Sequence, residues 1–172
     1  MKSLCEMCNG NCCASFVITI TSFDLLRIIK ETGLKPEEFA ELRRLDILCY
    51  DDSQIIECKD KNFKDYYLLC LKSHPCYFFD SKTGCKIHSA KPMACRIYPF
   101  NENEKFSSKS MCPFISGLLF RASRSPKEDI RRYKKEKELY SEIVKKCNSK
   151  GRTKANAIKF LVSETKKHFD NI

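Results

Sequence analysis

Only five glycines and three histidines occur among the 172 residues, and each scarcity removes a class of chemistry. The few glycines form neither a phosphate-cradling loop nor a two-glycine dinucleotide fingerprint, so little supports an independent catalytic apparatus, although an oxidoreductase-type role stays open. His74, His88 and His168 are too few and too scattered to argue an acid–base pair. Nothing approaches the roughly 18 consecutive apolar residues of a membrane-crossing helix. The opening MKSLCEMCNG lacks the apolar stretch of a secretory signal, and the short run FVITI is soon followed by Asp24 and Arg27. A cytoplasmic setting with reduced thiols is therefore expected. Internal repeats and low-complexity segments are missing too.

Cysteine is what the chain has in excess: twelve residues, eleven of them between Cys5 and Cys112. A chain of this length can bury a core without covalent staples, so the thiols call for another explanation than a disulfide scaffold. The formal charge is +10, with 32 Lys and Arg against 22 Asp and Glu. That count treats every cysteine as neutral, and much of the excess falls beyond Phe120, where Lys, Arg and Glu dominate. Residues 1–120 are read as a cysteine-cluster metal-binding domain and residues 121–172 as a basic helical extension packed on it. The basic stretch is read first as a solvated face over an apolar stripe. Docking of an acidic protein partner comes next, and nucleic acid is not favoured because the tyrosines fall on the apolar stripe.

The pattern predicts an α+β fold, a small irregular metal-stapled domain of short strands and helices followed by a C-terminal helical pair. Thr21 and Asp24 form a capping box for a helix to Lys30, with Gly33 as its stop. A second helix is expected from Pro36, with Phe39, Leu42 and Leu45 at helical spacing. Strands are expected over Gln54–Cys58 and Tyr66–Leu71, and a hairpin joining Tyr77–Phe79 to Cys85–Ile87 around DSKTG. Ser125, Pro126 and Glu128 open a long helix with Ile130, Tyr133, Tyr140, Ile143, Val144 and Cys147 on one side. SKGR ends it, and a last helix from Thr153 carries Ile158, Leu161, Val162 and Phe169.

The chemistry concentrates in two groups. CEMCNGNCC holds Cys5, Cys8, Cys12 and Cys13, and a C-x2-C spacing lets a tight turn present two thiolates to a metal or to neighbouring irons. Asn9, Gly10 and Asn11 supply backbone tolerant of positive φ to bring the next two thiols round. In extended backbone Cys12 and Cys13 point to opposite sides, which argues against both binding one ion and suggests two metals or two irons. The second group supplies Cys76, Cys85, Cys95 and Cys112, making eight thiols, enough for two sites of four. His88, in Cys85-x2-His88, is either a ligand, a group behind one, or a surface histidine.

The combination of CEMCNGNCC, PCYFFDSKTGCKIHSAKPMACRIYPF and the CP at Cys112 resembles the YkgJ-like cysteine-cluster family, CxxCxxCC, a zinc- or iron-chelating domain. The resemblance spans residues 5 to 113. It implies that the eight cysteines are the metal-associated set, and His88, Pro92, Arg96, Tyr98, Pro99 and Phe100 match the rest of the pattern. Three residues, NGN, separate Cys8 from Cys12 where the family pattern has two, and the family tolerates other residues at the position of His88. Cys49, Cys58, Cys70 and Cys147 lie outside the pattern and read as buried thiols. Arg96 is a candidate to bond cluster sulfur or offset thiolate charge, the alternative being a surface arginine. Tyr98, Pro99 and Phe100 are candidates to wall the site from water.

Thiolate softness favours zinc or iron over magnesium or calcium. Adjacent and widely scattered cysteines depart from ordinary zinc knuckles, which tilts the expectation to an iron–sulfur cluster of the 4Fe–4S type with a redox or accessory role. The C-x2-C-x2-C-x3-C-P run of a ferredoxin and the C-x3-C-x2-C run of radical AdoMet enzymes are both absent. The alternatives are a zinc-held structural or interaction module, and a cluster-dependent protein-modifying enzyme related to the much longer flagellin lysine N-methylases.

Overall fold

The computed structural model describes residues 10–44, 52–60, 63–105 and 126–169. Helix α1 (Asn11–Ser15) leads through an extended segment into α2 (Ser22–Thr32) and the single turn α3 (Pro36–Phe39). Strands β1 (Ala40–Arg44), β2 (Ile56–Asp60) and β3 (Phe63–Leu71) follow, then the short β4 (Phe79–Asp80) and β5 (Gly84–Cys85). Helix α4 (Met93–Ile97) precedes the long α5 (Lys127–Asn148) and α6 (Lys154–Lys166). The architecture is α+β with a C-terminal helical pair.

Local chemistry sets α2. Thr21 Oγ1 accepts from Asp24 N and Asp24 Oδ2 accepts from Thr21 N, so both orphan amides of the first turn are satisfied. Gly33, at φ 70°, closes the other end by donating to the Ile29 carbonyl.

The helix expected from Pro36 lasts one turn. Phe39 and Leu42 are three apart, a spacing that also suits a helix, but Ala40–Arg44 instead pairs antiparallel with Leu71–Tyr67 of β3. The strand buries Ala40 and Leu42 in alternation and satisfies its backbone across the ladder. Leu45 lies outside the described residues, as does Ser125; Pro126 stands as the N-cap of α5.

β3 is the central strand, in the order β1–β3–β2. β2 covers only its first half, from Ile56 opposite Tyr67 onward. Beyond that point the segment before α2 takes over: Ile20 N donates to Leu69 O and Leu71 N to Ile18 O, each at 2.9 Å. This pairing carries α1 to the end of β3 that leads directly into Cys76. The β4–β5 hairpin sets Phe79 opposite Cys85, and Asp80 Oδ1 closes its turn by accepting from Lys82 N, Thr83 N and Thr83 Oγ1.

The C-terminal helices share the core. Tyr140, Ile143, Val144, Cys147, Ala157 and Leu161 pack in one cluster with Phe23, Ile28, Leu42, Ile56 and Leu69. Asn148 stitches the end of α5 to β2, accepting from Glu57 N at 2.9 Å and donating to Ile55 O at 2.8 Å. Ser22 Oγ and Thr165 Oγ1 meet 2.5 Å apart, and Phe23 stacks on Phe169.

Across the α2–α5 contact lies a buried ion network. Arg27 donates to both oxygens of Glu136, at 2.5 and 2.9 Å, and to Asp24 Oδ1 at 2.5 Å. Arg132 donates to Glu136 Oε1 at 2.9 Å. Glu136 and Asp24 are 0% and 1% exposed. Burial opposes the Arg27 charge, yet its bonds to Glu136 and Asp24 outweigh this and raise its pKa. Substituting Glu136 with alanine removes a buried carboxylate bonded by both Arg27 and Arg132 and leaves Arg27 with Asp24 as its remaining carboxylate partner, and is expected to cost about 3–5 kcal/mol in urea unfolding. Joint replacement of Arg27 and Glu136 by methionine should not recover that loss, because the buried Asp24 carboxylate then loses the Arg27 guanidinium that pairs it.

Candidate metal centre

Five of the eight cysteines singled out from the sequence lie around one cavity of about 210 Å³: Cys12, Cys13, Cys76, Cys85 and Cys95. Cys5, Cys8 and Cys112 lie outside the described residues, as does Cys49. Cys58, Cys70 and Cys147 are buried elsewhere in the fold. The walls between the thiols are mainly apolar, with Phe16, Ile18, Leu71, Phe78, Ile87 and Tyr98 among them.

Four local devices deliver the five thiols. Gly10, at φ 74°, is the N-cap of α1, and its carbonyl accepts from Ala14 N at 2.9 Å. A Cβ there would stand 2.0 Å from the Phe79 ring, so the turn into Cys12 requires glycine for both conformation and space. Cys76 N donates to Cys13 O at 2.8 Å and Phe79 N to Cys76 O at 2.9 Å. The backbone itself thus couples the first cysteine segment to the second. Cys85 comes from the hairpin, opposite Phe79.

Cys95 sits on α4, whose first amide, Met93 N, donates to Asp24 Oδ1 at 2.8 Å. The carboxylate that caps α2 therefore also anchors the helix bearing Cys95.

Cys12 and Cys13 are not in extended backbone. They occupy successive positions of α1, and both line the cavity. A helix turns by about 100° per residue, whereas a strand alternates, so neighbours on a helix can face one chamber. A side-chain hydrogen bond from Cys13 lowers the Cys12 pKa to about 6, against the opposing effect of burial, while Cys13 is raised. Burial also raises Cys76, and raises Cys95 far more. Neutral thiols packed in an apolar site become thiolates only with a cation to compensate them, and this donor set fits a soft metal. Among the described residues no three His, Cys, Asp or Glu side chains form a ready-made ligand group for one ion. The thiols surround a chamber and do not meet at a point.

The remaining candidates divide. Tyr98 lines the cavity and packs edge-on against Phe16, with ring centroids 6.1 Å apart. Pro99 is buried and Phe100 half-buried. Arg96 is not at the cavity wall: its guanidinium donates to the Ser89 carbonyl and, at 3.2 Å, to the Lys91 carbonyl. His88 is not at the wall either, and its Nε2 lies 3.4 Å from Lys91 Nζ. Lys91 itself lines the chamber and was not singled out in the sequence. Its only local signal was its place between the cysteines of the second group.

The model of one family, CxxCxxCC, described as "putative zinc- or iron-chelating domain", matches residues 4–113. No solved structure matches the chain.

Two measurements probe this geometry. Gly10→Ala and Gly33→Ala both force alanine to positive φ, at about 1–2 kcal/mol each, but Gly33 has open space around it. Gly10→Ala should therefore lower the urea midpoint clearly more than Gly33→Ala, and equal losses would show that the Phe79 ring gives way. In metal-free protein the ultraviolet band of the Cys12 thiolate should grow in near pH 6 and be missing in Cys12→Ser. Since the folded value lies below the ordinary 9.0, this thiolate stabilises the metal-free fold fully above about pH 9 and loses that contribution as pH falls through about 6.

Proposed function

Because the chain belongs to the CxxCxxCC family, we propose that it is a metal–thiolate protein whose cofactor is an iron–sulfur cluster, with a redox or accessory role in electron transfer or maturation. One observation carries this reading: five cysteines from four separate segments line a single, mostly apolar cavity. Thiols spread around a chamber suit a polynuclear core, whose several metal atoms take ligands from different walls. A lone zinc ion needs its four donors drawn in to about 2.3 Å.

Cys12, Cys13, Cys76, Cys85 and Cys95 are the residues that would hold the group, with Cys5, Cys8 and Cys112 as further candidates. When bound, such a cluster supplies one-electron chemistry at a potential set by burial and hydrogen bonding. The protein's own part is to position and to exclude. The Cys76–Cys13 backbone bond sets the approach of two ligand segments, Asp24 holds the helix of Cys95, and Phe16 and Tyr98 keep water from one side.

The outer face of α5, with Arg131, Lys134, Lys135, Lys145 and Lys146 exposed, is the surface that would receive an acidic partner.

Anaerobic purification with metal and acid-labile sulfide analysis tests the assignment. Iron and sulfide in comparable amounts, with a visible charge-transfer spectrum, are expected, together with loss of most of the metal in Cys8→Ala and Cys95→Ala. A colourless protein with stoichiometric zinc and no sulfide would overturn the cluster in favour of a zinc-held module.

A further inference from the structure

A thiolate centre of either metal leaves excess negative charge, and an apolar cavity cannot screen it. Among the described residues that line the chamber, Lys91 is the only one with a charged side chain. Its backbone is fixed on both sides: Arg96 holds the Lys91 carbonyl, and Asp24 holds Met93 N two residues on. Arg96 further grips the Ser89 carbonyl, while Ser89 Oγ donates to Glu31 at 2.6 Å. The loop from Ser89 to Pro92 is thereby pinned to α2 and α4, with Lys91 half-buried at the cavity wall and its Nζ 3.4 Å from His88 Nε2.

We propose that Lys91 is the charge-compensating residue of the thiolate centre, the place the sequence pattern offered to Arg96. The role rests on the metal–thiolate reading but not on which metal is bound. Lys91 touches no ligand role of its own. From its place on the wall shared with Cys12, Cys13, Cys76, Cys85 and Cys95, its positive charge lowers the cost of collecting thiolates around the chamber. Because the effect is electrostatic, arginine should replace it and a neutral isostere should not.

The test is anaerobic titration of the metal-free full chain with Co(II), for the native protein, Lys91→Gln, Lys91→Arg and, as a control on an exposed turn, Lys82→Gln. Affinity is read by competition with a chelator, and the ligand set by the thiolate-to-cobalt charge-transfer band. Lys91→Gln should bind about tenfold more weakly, the scale of one partly screened charge at short range, with the band per bound cobalt unchanged. Lys91→Arg and Lys82→Gln should stay close to native. Native affinity in Lys91→Gln, an equal loss in Lys91→Arg, or a weakened band in Lys91→Gln would each overturn the role. A native protein that shows no cobalt–thiolate band would instead sink the metal–thiolate reading beneath it.

Discussion

The buried carboxylate of Asp24 is the constraint on which the rest of the structure depends. One oxygen accepts from Thr21, through its amide and hydroxyl, and starts α2. The other accepts from Met93 N and Arg27, and through Arg27 reaches Glu136 on α5. A charge withdrawn from water this far is tolerated only because every one of these donors is present. The same atoms that satisfy it therefore dictate where α2, α4 and α5 stand relative to one another. The thiol of Cys95 inherits its place from that arrangement, two residues beyond the Met93 amide.

The cysteine chamber is built on the opposite physics. Its walls are apolar and its thiols, Cys95 above all, are held against ionisation by burial. Folding thus places the donors in a state that a metal must change, and the energy of binding has to include the release of their protons. Cys12 is the exception, since its neighbour Cys13 supplies a hydrogen bond that a lone thiol would lack.

How much of this was legible in the sequence follows from the range of each interaction. The Thr21–Asp24 box and the Gly33 stop involve partners within four residues, and their residues announce them. The DSKTG turn is equally local, because Asp80 bonds to Lys82 and Thr83. The stretch after Pro36 misleads because Phe39 and Leu42 satisfy a helical period, while the strand that claims Leu42 has its partner at Leu69. Extended backbone would set Cys12 and Cys13 on opposite sides, yet Gly10 starts a helical turn there. Glu136 gives no local sign of burial among the lysines of α5, since its partner Arg27 lies 109 residues away. Likewise, nothing adjacent to Arg96 reveals that it spends its guanidinium on loop carbonyls and leaves the cavity to Lys91.

The Ser22–Thr165 hydrogen bond, which spans 143 residues, has a consequence for the order in which the protein comes into being. During synthesis the first thiols emerge early, but the strand that anchors their segment, through Leu69 and Leu71, is made some fifty residues later. The helices that complete the core under α2 come last. The described lining of the chamber, from Gly10 to Tyr98, is thus made before the helices that hold α2 in place. Metal that arrived before those helices would meet thiols whose supporting helix, α2, is not yet tied down through Thr165.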